Sequence, residues 1–185
     1  KARPAEELRY RGQLFRLFRL VERGDALFII DQHAAHERIL FEELKARQHG
    51  SQELLMPIPL PGGASLESAL ASRREALKDM GIRVERTEEG EYAVTALPEE
   101  LLCLEEELAE AILAGSASPE ELRDRILSLA ACRTAVKDGE ELDQLTAREL
   151  ARRALELDNA RCPHGRPIWM KISREELLRA VGRPL

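Results

Sequence analysis

The amino-acid sequence predicts a mixed α/β (α+β) fold, on three observations. Near the start, apolar residues recur roughly every second position, and directly after Asp31 they recur every three or four. A middle stretch reads β-α-β-β-α, the order of a compact module of about 65 residues. The chain has 185 residues, 44% of them apolar, enough to bury a core in one large domain or two small ones.

The elements follow in order. "GQLFRLFRLVERGDALFII" reads as a hairpin in which Leu14, Phe18 and Leu20 alternate imperfectly with Arg16 and Arg19 before an "RGD" turn. After Asp31, Ala34, Ala35, Ile39, Leu40 and Leu44 fall at helical spacing, and "QHGS" ends the helix. "ELLMPIPLPGG" is an extended, proline-punctuated strand at a domain boundary, with "PGG" as breaker. "SLESALASRREALKDMG" is an amphipathic helix closed by Gly81, and "IRVER", a "TEEGE" turn and "YAVTAL" form a second hairpin. "EELLCLEEELAEAILAG" is expected to be one helix ended by Gly115. "SPEELRDRILSLAACRTAVKDG" opens as a helix with Ser118 as N-cap, Pro119 at N1 and Glu121 at N3. "TARELARRALELD" is a helix capped by Thr146, "NARCPHGRP" a loop, "IWMKI" a strand and "SREELLRAVG" a last helix capped by Ser173. No internal repeat or low-complexity tract interrupts this order.

Apolar runs such as Leu27–Ile30 are far shorter than the about 20 residues a membrane span needs, so no membrane partner is expected. The start, "KARPAEELRYRG", has no apolar h-region and no initiator Met, which predicts a piece of a longer cytoplasmic protein without a signal peptide. Three widely spaced cysteines do not make a disulfide framework and fit a reducing compartment. The net charge of −6 is unevenly spread. Residues 1–49 carry 10 Lys/Arg against 8 Asp/Glu, and residues 146–185 carry 9 against 5. The middle, 50–145, carries 9 against 21. Local potential decides which partner approaches which face, so the basic ends are compatible with nucleic acid. A plainer account is a middle of solvated acidic helices.

"LFIIDQHAAHERI", residues 27–39, runs an apolar strand into a cluster of ionisable groups. Side chains at i and i+4 on a helix sit one above the other, so His33 and Glu37 share a face with Asp31 just before them. His36 points about 60° away from His33 and could flank the group. Asp31 has a competing job as helix cap, and by itself the cluster reads as a cap with surface polar residues. "CPHGRP" changes that weight. In an extended segment Cys162 and His164 would face one side. With His33, Glu37 and Asp31 they form a mixed S, N and O ligand set, sulfur and imidazole suiting zinc, carboxylates suiting magnesium or manganese. A carboxylate shared by two ions would build the paired-metal arrangement of phosphodiester cleavage.

Arg166 could pair bidentately with a phosphate or serve a structural salt bridge. "ACRTAVK" sets Cys132 beside Arg133 and Lys137, a cationic i, i+4 stripe if the segment is helical. Lone helical cysteines usually pack in cores, as Cys103 among its leucines does on this reading. "QELLMP", residues 52–57, has the form of a short docking peptide, or of an ordinary buried strand.

On these residues the chain resembles the C-terminal domain of the bacterial mismatch-repair MutL family, endonuclease-bearing type. The family pattern D-Q-H-A-x-x-E-x-x-x-x-E is matched by Asp31, Gln32, His33, Ala34, Glu37 and Glu42. A-C-R/K-x-A-V/I-K is matched by Ala131, Cys132, Arg133, Ala135, Val136 and Lys137, and C-P-H-G-R-P by Cys162 to Pro167. Three motifs in order over nearly the whole chain make the match specific.

The resemblance implies that His33, Glu37, Cys162 and His164 ligate metal, with Asp31 a further carboxylate and Cys132 binding or tuning the site. It implies nicking of one DNA strand, with Mn2+ supporting cleavage and Zn2+ structural or regulatory. Asp31, His33 and Glu37 would be catalytic, while Arg133, Lys137 and Arg166 steer phosphate. Gln52, Leu55 and Pro57 would dock on the replication sliding clamp. The implied architecture is a discontinuous dimerisation subdomain, 1–50 and 128–185, with a regulatory subdomain inserted at 51–127. The implied partners are a second copy of the chain, weakly bound DNA, the clamp, and the mismatch-recognition protein through the full-length chain, at the bacterial nucleoid. No ATP site is expected in these residues. One departure from the family stands at the end, where Val181 replaces the Phe of an F-x-R motif whose arginine would be Arg183. The rival expectation is a non-catalytic dimerisation module with a structural zinc site and a clamp-docking motif.

Overall fold

The computed structural model describes residues 7–62, 64–114 and 118–184, with backbone alone at 64 and 65. In chain order the strands are β1 (Leu8–Leu14), β2 (Phe18–Arg23), β3 (Ala26–Asp31), β4 (Gln52–Leu60), β5 (Arg83–Arg86), β6 (Tyr92–Leu97) and β7 (Trp169–Ser173). The helices are α1 (Gln32–Ala46), α2 (Ala64–Asp79), α3 (Leu108–Leu113), α4 (Pro119–Thr134), α5 (Gln144–Ala154) and α6 (Arg174–Ala180). The fold is α+β, with two separate sheets. The chain divides into one unit formed by Lys1–Leu40 with Ala135–Leu185 and a second formed by Phe41–Thr134.

The first unit is built on an antiparallel sheet of order β1-β2-β3-β7. Strand alternation sends Val21, Phe28 and Ile30 inward, where they meet Ala34 and Ala35 of α1 and Ala151 and Ala154 of α5. Alanine at these four helix positions lets the helices approach the sheet closely. Phe28 and Trp169 close the core edge to face, ring centres 5.3 Å apart. Cys162 and Ile168 belong to the same core, so the segment before β7 is anchored by packing.

The expected first hairpin is three strands. Its imperfect alternation conceals a turn at Phe15 and Arg16, both at positive φ (53° and 57°), with Leu17 N–H bonded to the Leu14 carbonyl at 3.1 Å. Two successive left-handed residues make the I′ signature that matches strand twist, and without Gly or Asn the sequence does not announce it.

The second unit carries a sheet of order β4-β6-β5 over a core that includes Leu77, Met80, Val94, Leu97, Leu104 and Ile126. Gly81 ends α2 at φ +72°, and a Cβ there would collide with the Gly50 carbonyl. The single helix expected at 99–115 is a 3₁₀ helix, Glu99–Leu104, followed by α3. Leu101 and Leu104 are both fully buried at a spacing of three, which eclipses in 3₁₀ geometry and drifts in an α-helix. Gly115, the expected terminator, lies outside the described residues, as do Gly63 of the "PGG" breaker and the first six residues. Ser118 caps α4 with Glu121 as expected, and Ser173 caps α6 in a capping box with Glu176. The cap of α5 is Asp143, not Thr146: its carboxylate accepts from Leu145 and Thr146 N–H, and the Thr146 hydroxyl donates to it. No helix among the described residues is long and apolar enough to cross a membrane.

Candidate metal centre

β3 delivers Asp31 to the start of α1, where Asp31 Oδ1 accepts from Ala34 N–H at 2.9 Å as an N-cap. The backbone N–H of Asp31 donates to the Ile168 carbonyl at 2.9 Å, which ties the strand end to the residue after CPHGRP. That loop is a tight turn, not the extended segment expected. Cys162 N–H bonds the Arg166 carbonyl and Gly165 N–H bonds the Cys162 carbonyl, each at 2.8 Å. The turn directs Cys162 inward, 3% exposed, and brings the His164 ring over α1.

Two motifs more than a hundred residues apart therefore meet. His164 Nδ1 lies 2.8 Å from Glu37 Oε1, and ligand atoms of Glu37, Cys162 and His164 all lie within 4.8 Å of one another. Glu37 is fully buried, and neither carboxylate oxygen has an aligned hydrogen bond, since the His164 approach is close without the geometry of one. A carboxylate held this way is costly unless something else satisfies it. One thiol, one imidazole and one carboxylate around one point are a borderline-soft donor set that fits zinc and accommodates a harder divalent ion through the carboxylate. The residues present fit a bound cation.

The histidines of α1 have distinct partners. His33 Nδ1 is 2.8 Å from the Val136 carbonyl, which must accept, so the proton sits on Nδ1 and Nε2 keeps its lone pair. His36 Nδ1 accepts from Val136 N–H at 3.0 Å, the opposite tautomer. Both backbone groups of Val136 are thus taken by side chains. This is why α4 stops at Thr134 and does not run through Lys137 as "ACRTAVK" suggested. The cationic stripe expected of Arg133 and Lys137 does not form. Arg133 ion-pairs with Glu107 in the second unit, and Lys137 lies in a turn closed by its own N–H to Glu140 Oε2 at 2.9 Å. Cys132 is half-buried on α4 in the second unit. Arg166 is exposed and makes no ion pair among the described residues. Asp31 does not join the Glu37–Cys162–His164 group. Gln32 was missed as a structural residue: fully buried, it donates to the Glu140 carbonyl at 3.0 Å.

Gln52, Leu55 and Pro57 lie on β4, an edge strand of the second sheet. The buried-strand reading of this stretch fails. β4 pairs with β6 at Gln52 and Glu53 and again from Ile58, and residues 54–57 bulge out of register. Leu55 and Met56 are 103% and 83% exposed.

Residues 11–142 match the family model described as MutL C terminal dimerisation domain. The chain belongs to the MutL C-terminal dimerisation domain family. Among relatives named DNA mismatch repair protein MutL, that of Treponema pallidum is 39% identical over 93% of this chain and 28% of its own length. That of Kosmotoga olearia is 36% identical over 99% of this chain and 31% of its own length. That of Carboxydothermus hydrogenoformans is 35% identical over 94% and 32%. The chain therefore spans about a third or less of the MutL relatives it matches.

Proposed function

We propose that the chain is the homodimerising, metal-dependent DNA-nicking domain of a MutL acting in mismatch repair and directed by the sliding clamp. The observation that carries the reading is Glu37, buried with unsatisfied oxygens beside His164 Nδ1 and Cys162. Glu37, Cys162 and His164 would hold Zn2+ or Mn2+, with His33 Nε2 and Asp31 as further donors. A divalent cation there supplies charge stabilisation to a phosphodiester and a lower pKa to water. The protein's own part is to position: the Cys162–Gly165 turn fixes the thiol, Val136 fixes the His33 tautomer, and the exposed Arg166 guanidinium binds a phosphate. Lys137 is the nearest further cation in sequence to that turn of Val136. Intrinsic DNA affinity is weak and salt-sensitive, and clamp docking through Gln52, Leu55 and Pro57 raises effective concentration. The exposed bulge supports that docking.

Homodimerisation is supported by the outer face of the first sheet. Register places Leu20 beside Ile29, Ile29 beside Met170 and Leu27 beside Ile172 on the face away from the core, and Met170 is 54% exposed. Such a contiguous apolar face marks an interface.

The test is nicking of supercoiled plasmid with Mn2+ and loaded clamp. Glu37→Lys is expected to lose it, and retention of full activity would sink the assignment. The buried Cys162 thiol favours a second reading, a non-catalytic dimerisation module with structural zinc. In that case chelation would unfold the first unit and Glu37 variants would be silent in nicking.

A further inference from the structure

In the second unit a hollow of about 700 Å³ lies along the seam between α2 and β5. Its floor is apolar, from Leu70, Leu77, Val84 and Tyr92. β5 is an edge strand, paired with β6 on one side only, so its other side offers backbone N–H and C=O groups to an incoming chain. On the helix side stand Arg74 and Lys78, exposed, one turn apart, and in no ion pair among the described residues. Like charges at this spacing repel, and they do so in a unit where residues 41–134 hold 19 Asp/Glu against 10 Lys/Arg. Two carboxylates and a third cation also border the hollow: Glu85 accepts from the Thr95 hydroxyl at 3.0 Å, Arg83 pairs with Glu53 at 3.3 Å, and the exposed Glu67 stands two turns before Arg74, at the other end of α2. The unengaged positive charge is concentrated at the Arg74–Lys78 end.

From the juxtaposition of an apolar hollow, an unpaired strand edge and this cation pair, we propose that the α2–β5 seam docks an extended acidic peptide. The peptide adds a strand to β5, seats alternate apolar side chains in the hollow and sets its carboxylates against Arg74 and Lys78. Alternation along a strand supplies both functions at once, one face apolar and the margins charged. Nucleic acid is a poor occupant, because the floor is apolar and the unit around it is strongly acidic.

The experiment uses the 185-residue chain and a fluorescein-labelled octapeptide of alternating Asp and Leu, followed by anisotropy at low salt, with an alternating Lys and Leu octapeptide as control. The acidic peptide is expected to bind and the basic one not. Added salt should weaken binding, Arg74→Glu with Lys78→Glu should weaken it by about tenfold or more, and Ala71→Trp, which fills the hollow, should abolish it. Amide exchange at Val84 to Arg86 should slow in the complex. Equal binding of the basic peptide, indifference to either variant, or binding without protection of β5 would each overturn the proposal. All three substituted residues are exposed, so loss of folding does not confound the result.

Discussion

Arg19 donates to the Gln32 side-chain oxygen in the interior of the first unit, a cation 1% exposed that leans on a neutral amide rather than a carboxylate. Its other guanidinium contact is the Tyr10 hydroxyl at 3.3 Å. Gln32→Leu would strand that cation and is expected to cost about 2–3 kcal/mol. Arg19→Met combined with Gln32→Leu should restore most of the loss, since a well-packed apolar pair commonly replaces a buried polar one at little cost. Urea unfolding of both single variants and the double variant measures the coupling.

Chelation separates the readings of the metal centre. The first unit has a continuous apolar core around Phe28, Ile30 and Ala151, so EDTA is expected to abolish nicking while leaving far-UV circular dichroism unchanged. Cys162→Ser should lower zinc content at a fixed free zinc concentration by more than about tenfold, read by elemental analysis of the dialysed protein.

Leu55 and Met56 touch solvent, not core. Changing Leu55 to Ala together with Gln52 to Ala should alter stability by less than about 0.5 kcal/mol. Clamp-dependent nicking should nevertheless fall to the level seen without clamp. A plasmid assay with and without clamp, beside a denaturation curve, distinguishes docking from folding.

The α5 cap sets a pH dependence. The Thr146 hydroxyl first, and then the Thr146 and Leu145 N–H groups, hold the Asp143 carboxyl below its ordinary value. A depressed folded value means the contribution is present above the unfolded value of about 3.9 and is lost as pH falls through the folded one. Asp143→Ala should therefore lower Tm at pH 7, and the gap from the parent should close as pH falls below the unfolded value and through the lower folded one. A gap that stays constant over that range would show that the cap carries no charge-dependent stabilisation.

The left-handed pair at the β1–β2 turn is open to improvement. Replacing Phe15 and Arg16 by Asn and Gly relieves two unfavourable backbone conformations at an exposed tip. The expected gain is about 1–2 kcal/mol in urea unfolding.

Long periodic segments were legible from residue spacing: α1, α2, the β5–β6 hairpin and the Ser118 and Ser173 caps appear where apolar repeats and cap residues placed them. What was not legible depended on tertiary partners. Val136 ends α4 because histidines a hundred positions away take its N–H and C=O, and no local residue announces that. Asp143 outcompetes Thr146 as cap through a carboxylate that reaches two N–H groups. The meeting of Glu37 with Cys162 and His164 was expected from motif chemistry, yet through an extended loop; a turn does the work, since Gly165 at φ +87° lets the chain fold back. The bulge in β4 had no signal beyond Pro57 and Pro59, which cannot donate to a ladder.

That bulge makes the two margins of the second sheet unlike. With residues 54–57 thrown out of line, the β4 margin offers no straight row of amides for a stranger to copy. Lateral growth of this sheet, whether by a legitimate visitor or by misassembly in a crowded cell, can proceed off β5 alone. With one open margin per unit, pairing of β5 with the β5 of a second copy closes a two-unit sheet with no straight margin left, so such growth ends at a pair and not at a fibre.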